Sequence, residues 1–312
     1  MQIIDASQLR RPDRLGSGEK EKWSPDKVEI NCFRHIKDTV TQTRPHLILI
    51  TGDMVYGEFD DNGGMLRKFS DFMDSLGIPW APVFGNHDKE SGIGLEAIRG
   101  IFNSATHCIF DNETSDFEDG DSNFAIKAYQ QDRLIETVYM LDTKGCTKAT
   151  AEALRRPAGI TEGQCRFIER IAKEAERETG AVVPAIAAYH IPTREFYDAF
   201  EEKGYPVTEG IVIGVDVPAC DGDFGAFFEK GAKPAPSPEN FAERLRTCGV
   251  RAVFAGHEHL SCTSVVWRGI RWTLGLKCGT YDYHLNGALG GTLIEISDEV
   301  PTVRYIPTLV GY

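Results

Sequence analysis

Five short stretches of the sequence end an apolar run with side chains that can bind a metal ion. These side chains are carboxylates, an amide, a phenol and imidazoles, at Asp5, Asp53, Tyr56, Asn86, His87, His190, His257 and His259. Oxygen donors combined with neutral imidazoles suit borderline divalent metals and ferric iron. If the apolar runs are strands whose ends meet, the sequence predicts a metal centre assembled from separate loops.

The stretch "GHEH" at 256–259 carries geometric information of its own. Residues two apart on an extended chain face the same way, so His257 and His259 can point into one site while Glu258 points away. Glycines also stand beside three of the candidate ligands, where they allow the backbone to turn sharply. They are Gly52, Gly85 and Gly256.

The elements that must position these residues can be predicted from the apolar pattern. Val28, Cys32, Ile36 and Val40 form an i, i+4 stripe that predicts an amphipathic helix over 25–43. Buried strands are predicted at 46–50, around 80–84, at 181–190 and from 250, and a helix from Thr161 to about 178 begins with a capping-box pattern. The region after 260 contains β-prone runs that indicate antiparallel strands.

This order of elements predicts an α/β protein, a four-layer α/β/β/α sandwich of two mixed β-sheets flanked by helices. We expect a single domain over residues 1–312, in which 260–312 form the C-terminal β-rich part. Residues 191–240 are rich in glycine, proline and acidic residues and connect two ligand-bearing strands. Their length makes them a candidate lid or insertion.

Composition narrows the classes of partner. The 34 lysines and arginines are outnumbered by 47 aspartates and glutamates, for a formal charge of −13, which argues against a nucleic-acid partner. An anionic substrate would need a local positive centre, and bound metal cations can supply one. No apolar run reaches membrane-spanning length. The expectation is a cytoplasmic protein without a membrane partner, with its eight cysteines as free thiols.

Taken in order, the motifs D…GDMVY…GNHD…H…GHEH, from Asp5 to His259, resemble the calcineurin-like metallophosphoesterase superfamily. The resemblance implies two metal ions per chain, the first held by Asp5, Asp53 and His259. It implies that the second is held by Asp53, Asn86, His190 and His257, so that Asp53 bridges both ions. His87 then resembles the family's histidine near the leaving group. Asp88 would orient the His87 ring or favour its charged form.

The first motif departs from the common Asp-x-His pattern, because Asp5 is followed by Ala6 and Ser7. The purple-acid-phosphatase-like branch also lacks that histidine and uses a tyrosine in Gly-Asp-x-x-Tyr, which here is Tyr56. The resemblance therefore implies iron in the first site if Tyr56 is a ligand, and iron, zinc or manganese in the second. Ligation by Ser7 or Gln8, and simple packing of Tyr56, are the alternatives.

The function implied is that of a dinuclear metal-dependent phosphohydrolase for a small phosphorylated substrate. Two cations would activate a water to hydroxide for in-line attack on phosphorus, and a phosphomonoesterase is the first hypothesis. A phosphodiesterase that acts on a nucleotide or lipid head group with the same site is the alternative. A third hypothesis is a degenerate, non-catalytic protein that binds metal or phosphate and has lost its first metal with the missing histidine.

Overall fold

The computed structural model describes residues 25–60, 62–145, 158–204, 222–227, 233–280, 284, 288–297 and 299–308. The predicted ligand Asp5 and its neighbours Ser7 and Gln8 lie outside the described residues. Much of the candidate lid, at 205–221 and 228–232, also lies outside them.

The described helices and strands alternate along the chain. The helices are α1 (Pro25–Thr43), α2 (Gly64–Ser75), α3 (Leu95–Ser104), α4 (Glu162–Thr179), α5 (Arg194–Glu202) and α6 (Phe241–Thr247). The strands are β1 (Ile48–Ile50), β2 (Trp80–Pro82), β3 (Phe124–Gln130), β4 (Arg133–Met140), β5 (Ala185–Tyr189), β6 (Phe224–Phe227), β7 (Val250–Ala255), β8 (Ser261–Trp267), β9 (Ile270–Leu274), β10 (Gly290–Glu295) and β11 (Thr302–Pro307). Two single-turn 3-10 helices, Gly57–Phe59 and Asp88–Glu90, follow β1 and β2.

A seven-stranded mixed sheet in the order β3-β4-β5-β7-β9-β8-β6 is the centre of the fold. Its middle strands β4, β5, β7 and β9 are parallel, and the outer pairs β3–β4, β8–β9 and β6–β8 are antiparallel. In the described residues the second sheet consists of two separate ladders, parallel β1–β2 and antiparallel β10–β11.

Two hydrophobic cores lie on the two faces of the large sheet. On one face, α4, α5 and α6 pack through side chains such as Phe167, Phe196 and Leu245. On the other face, the two small ladders and helices α1, α2 and α3 share a core that includes Cys32, Phe69 and Phe102. The predicted class, a mixed α/β fold with a large mixed sheet and flanking helices, is confirmed.

Individual elements were predicted with unequal success. Helix α1 spans the predicted residues, and the capping box of α4 is present, with Thr161 and Gln164 each bonding the other's backbone N–H. Helices α3, α5 and α6 were not predicted. Among the described helices, none combines the length and the apolar character that a bilayer crossing requires.

Candidate metal centre

The carboxyl ends of two pairs of parallel strands bring the candidate ligands together. Asp53 lies three residues after β1, and Asn86 lies four residues after β2, which pairs with it. His190 follows β5 directly, and His257 lies two residues after the neighbouring strand β7. Ligands in α/β folds bind at this edge, where strand ends and their loops meet.

Three atoms that can bind a metal ion lie close to the Nε2 atom of His190. This nitrogen lies 3.1 Å from Asn86 Oδ1, 3.2 Å from Asp53 Oδ2 and 3.3 Å from His257 Nδ1. Ligand atoms of Asp53, His190 and His257 all lie within 4.8 Å of one another. The four side chains predicted to hold the second metal therefore share one small volume.

The hydrogen bond on the far side of the His190 ring tests whether this volume fits a metal ion. His190 Nδ1 lies 2.7 Å from the carbonyl oxygen of Thr51, and only Nδ1–H can donate to that oxygen. His190 therefore turns Nε2, the ring atom that can bind a metal ion, toward a carboxylate oxygen and an amide oxygen. These mixed oxygen and nitrogen donors suit a metal ion.

Asp53 is the most constrained of these side chains. It is 3% exposed and has a backbone φ of 50°, in the left-handed region, directly after Gly52 with a φ of 90°. The backbone N–H of His87 donates to Asp53 Oδ1 at 2.9 Å, which leaves Oδ2 toward His190. Burial alone raises the pKa of Asp53, but His190 and His87 outweigh burial and hold this pKa well below its ordinary value.

Glycine is required behind Asp53. A Cβ atom at position 85 would lie 2.1 Å from Asp53 Oδ1 and 2.3 Å from the backbone nitrogen of Asp53. Because real Cβ atoms do not approach so closely, the chain can bring the β2 loop against Asp53 only with Gly85. Glycine is therefore needed at position 85 for a second reason besides the predicted sharp turn, namely the close approach of the two loops that carry candidate ligands.

In the GHEH stretch His257 and Glu258 point to different sides of the chain as predicted, and a site shared by His257 and His259 stays a prediction. His257 has a φ of 69° and enters the Asp53–His190 cluster, while Glu258 turns into the core and accepts a 2.5 Å hydrogen bond from the Tyr197 hydroxyl. His259 is partly buried, and its Nδ1 lies 3.1 Å from the ammonium nitrogen of Lys277. Burial and the Lys277 charge hold the pKa of His259 well below its ordinary value, which favours the neutral imidazole.

Tyr56 and His87 lie face to face beside these ligands. Their ring centroids are 4.1 Å apart with an angle of 25° between the rings, and Tyr56 is 5% exposed. The tyrosine therefore covers one face of the histidine that resembles the family's leaving-group histidine. Ligation of a metal ion by Tyr56, Asp5 or His259 stays a prediction, because Asp5 lies outside the described residues.

Asp88 agrees with one of its two predicted roles, because its charge acts on His87, and it has a structural role besides. Its two oxygens accept the backbone N–H groups of Val55, at 3.1 Å, and Gly85, at 2.8 Å, and thereby join the two motif loops. The carboxylate that bonds His87 belongs to Glu90, whose Oε2 lies 2.7 Å from His87 Nδ1. Asp88 still adds negative charge near His87, but it does not orient the ring.

Sequence reasoning missed three contributors to the site. They are Glu90 beside His87, Lys277 beside His259 and the carbonyl of Thr51 beside His190. Glu90 lies three residues after His87, a spacing that brings side chains together on one turn of 3-10 helix, so the sequence carried a signal. The Lys277 and Thr51 contacts join distant segments, and no local pattern indicates them.

Comparison with known proteins gives a consistent result. The model of the calcineurin-like phosphoesterase family matches residues 29–261. The "Probable inactive purple acid phosphatase 29" of Arabidopsis thaliana is 23% identical over 281 residues, which cover 84% of this chain and 66% of that protein. The "Phosphatase DCR2" of Saccharomyces cerevisiae is 24% identical over 262 residues, which cover 78% of this chain and 42% of that protein. The chain thus spans less than two thirds of the length of these curated relatives.

Among solved structures, a dimetal phosphatase from Danio rerio aligns with a TM-score of 0.50 at 11% identity. The alignment covers 88% of this chain and 85% of that one. At this identity the likeness concerns the fold, and it agrees with the mixed α/β architecture described above.

Proposed function

Because this chain belongs to the calcineurin-like phosphoesterase family, we propose that it is a dinuclear metal-dependent phosphohydrolase acting on small phosphate monoesters. The observation that carries the proposal is the convergence of Asp53, Asn86 and His257 on the Nε2 atom of His190. These nitrogen and oxygen atoms lie close enough together to bind one cation.

The proposed ligand sets follow from this geometry and from the family resemblance. Asp53, Asn86, His190 and His257 would hold one ion, and Asp5, Asp53 and His259, with Tyr56 as a further ligand, would hold the other. Two bound ions supply water activated for attack on phosphorus and positive charge that offsets the charge of the phosphate.

The remaining roles belong to the chain's own residues. The Thr51 carbonyl, 2.7 Å from His190 Nδ1, would orient the ring so that Nε2 is the atom available to a metal ion. The bonds from Asp88 to Val55 and Gly85 hold the loops after β1 and β2 in register, which keeps Asp53 beside Asn86. His87 is the group that would hold a proton for the departing alcohol. Its pKa is lowered by burial but raised more strongly by Glu90 and Asp53, so the net shift is upward and favours the protonated ring.

A substrate panel at matched metal content tests the proposal. Protein loaded separately with iron, zinc and manganese is assayed on aryl phosphomonoesters and on the corresponding diesters, with bound metal counted by mass spectrometry. We expect about two ions per chain, faster turnover of the monoester, and loss of both metal and activity in His190→Asn. The matched control is His46→Asn, because His46 is exposed beside β1. A preference for the diester would replace the monoesterase with a phosphodiesterase.

A non-catalytic metal- or phosphate-binding protein is the second candidate. Two observations favour it: Ser7 stands where the family usually has a metal-binding histidine, and several relatives carry "probable inactive" in their names. This candidate predicts one tightly bound ion per chain and no hydrolysis of any ester in the panel. Turnover that depends on His190 would exclude it.

A further inference from the structure

His87 is held from two sides by the side chains of Glu90 and Tyr56. Glu90 Oε2 lies 2.7 Å from the ring nitrogen Nδ1, and the Tyr56 ring lies 4.1 Å from the centre of the imidazole. The side chains of His87 and Glu90 are 17% and 28% exposed, so this ion pair is partly shielded from water. Tyr56 itself is buried and packs on Phe59 behind it, at 5.6 Å between ring centroids.

The backbone of His87 is fixed as firmly as its ring. Its N–H donates to Asp53 Oδ1 at 2.9 Å, and its carbonyl accepts N–H groups from Gly57 and Glu90, both at 3.1 Å. A Cβ atom at Gly57 would lie 2.3 Å from this carbonyl oxygen, so the loop after β1 presses directly on the residue. His87 also begins the single 3-10 turn Asp88–Glu90, which places Glu90 beside its ring.

We propose that Glu90 is a positioning residue that fixes the orientation and tautomer of His87, with Tyr56 as the wall on which the ring rests. This inference rests on the proposed function. Because the carboxylate accepts the proton on Nδ1, Nε2 is left as the ring atom that serves the substrate. Carboxylates that bond the distal nitrogen of a functional histidine set its ring orientation and basicity in this way.

The step that this arrangement assists is balanced. The oxygen of a water molecule forms a bond to phosphorus as the bond from phosphorus to the ester oxygen breaks, and the electron pair of that bond stays on the departing oxygen. The proton on His87 Nε2 passes to this oxygen, so the alcohol leaves neutral. The proton lost by the attacking water is released to solvent, and solvent returns a proton to His87. Glu90 keeps its bond to Nδ1 throughout and exchanges no proton.

An ordinary surface ion pair is the competing explanation, since such pairs contribute little to stability. Leaving-group chemistry separates the two. A poor alkyl leaving group needs the proton from Nε2, whereas 4-nitrophenolate departs without help. Loss of the positioning carboxylate therefore slows the alkyl ester selectively, and loss of a surface pair slows neither.

The kinetic test compares Glu90→Ala and Glu90→Gln with the control Glu96→Ala, whose glutamate is exposed at the start of α3. We expect Glu90→Ala to lower kcat on an alkyl phosphomonoester on the order of 10- to 100-fold, with KM nearly unchanged. The loss on 4-nitrophenyl phosphate should be much smaller. Glu90→Gln keeps an acceptor oxygen and should recover part of the loss, and Glu96→Ala should match the parent. Equal losses on the two esters, or no loss, would overturn the proposal.

A second measurement does not depend on turnover. Histidine labelled with nitrogen-15 in the zinc-loaded, diamagnetic protein reports the protonated ring nitrogen of each imidazole, and His87→Asn identifies the His87 signal. We expect a proton on Nδ1 of His87 in the parent and in Glu96→Ala, and its loss or exchange broadening in Glu90→Ala. The same signal in all three proteins would overturn the proposal even if the protein proved to be an active phosphatase. Loss of the signal in an inactive protein would support the positioning and contradict only the proposed function.

Discussion

Replacement of Gly85 by alanine tests whether the fold itself positions the metal ligands. Gly85 lies in the loop after β2, where its backbone N–H donates to Asp88 and its α-carbon lies against Asp53. The substitution adds one methyl group and no charge. Any loss of metal would therefore come from displacement of Asp53 and not from removal of a ligand.

The size of the displacement follows from the distances. The added Cβ would lie 2.1 Å from Asp53 Oδ1 and 2.3 Å from the Asp53 nitrogen, whereas carbon and oxygen atoms pack at roughly 3 Å or more. Asp53 must therefore move by roughly 1 Å, about twice the tolerance of a well-formed site. We expect metal affinity to fall on the order of 100-fold and stability to fall by about 1–3 kcal/mol from overpacking.

The assay needs two readouts and a matched control. Bound metal is counted after dialysis against a graded metal buffer, and the melting temperature is measured with and without metal. The control is Gly100→Ala in helix α3, because a Cβ there meets no atom within 4 Å. Alanine is the better helix former, so this variant should match or slightly exceed the parent in stability and bind metal normally.

One result would refute the reasoning. If Gly85→Ala held the same number of ions with the affinity of the parent, the close approach of the β2 loop to Asp53 would not determine the geometry of the centre. A fall in melting temperature with normal metal binding would show that the strain is absorbed elsewhere in the loop. In that case Asp53 would owe its position to His87 and His190 alone.

Three further changes give distinct outcomes. Tyr56→Phe should abolish the visible charge-transfer band of the iron-loaded protein while preserving the ring stack, and an absorption spectrum that keeps the band would contradict ligation by the phenol. Asp88→Asn should cost about 1–3 kcal/mol in urea unfolding, because its amide turns a donor toward one of two backbone N–H groups; an unchanged midpoint would contradict the tie between the loops. His35 is buried against Thr308, and burial and Arg34 lower its pKa from 6.5 to about 4. Its neutral ring contributes stability that is complete above about pH 6.5 and is lost as the pH falls toward 4. Between pH 7 and pH 4.5 we expect the free energy of unfolding to fall by about 2 kcal/mol less in His35→Asn than in the parent. Unfolding measured at both pH values checks this, and parallel pH profiles of the two proteins would contradict it.

The four residues proposed to hold the second ion could be selected from the sequence because each follows a strand and because together they match the family motifs. Asp53, Asn86, His190 and His257 each come one to four residues after an apolar run, and the ends of the parallel pairs β1–β2 and β5–β7 bring them together although the two pairs belong to different sheets. Such a prediction needs strand identity and order but no side-chain detail. The structure adds the distances, which local patterns do not determine.

The predictions were incomplete where a residue's partner depends on the path of a short loop. Asp88 and Glu90 both lie close to His87 in sequence, and only the single 3-10 turn decides that Glu90 reaches the ring while Asp88 turns inward to Val55 and Gly85. Helix α5, Arg194–Glu202, was missed for a related reason. The glycines, prolines and acids farther along 191–240 conceal its short amphipathic pattern when the region is considered as a whole.

The charge balance of the site links metal binding to stability of the fold. Asp53 and Asp88 are both buried, at 3% and 0% exposure, in a protein whose net charge is already −13. Burial, and after it the charge of Asp53, raise the pKa of Asp88 to about 6, as expected for two neighbouring buried carboxylates. A cation between Asp53 and His190 would offset the repulsion between these carboxylates. Since the unfolded chain holds no such cluster, the ion would bind the folded state preferentially. The two buried carboxylates, which repel each other, would therefore also favour the binding of a cation.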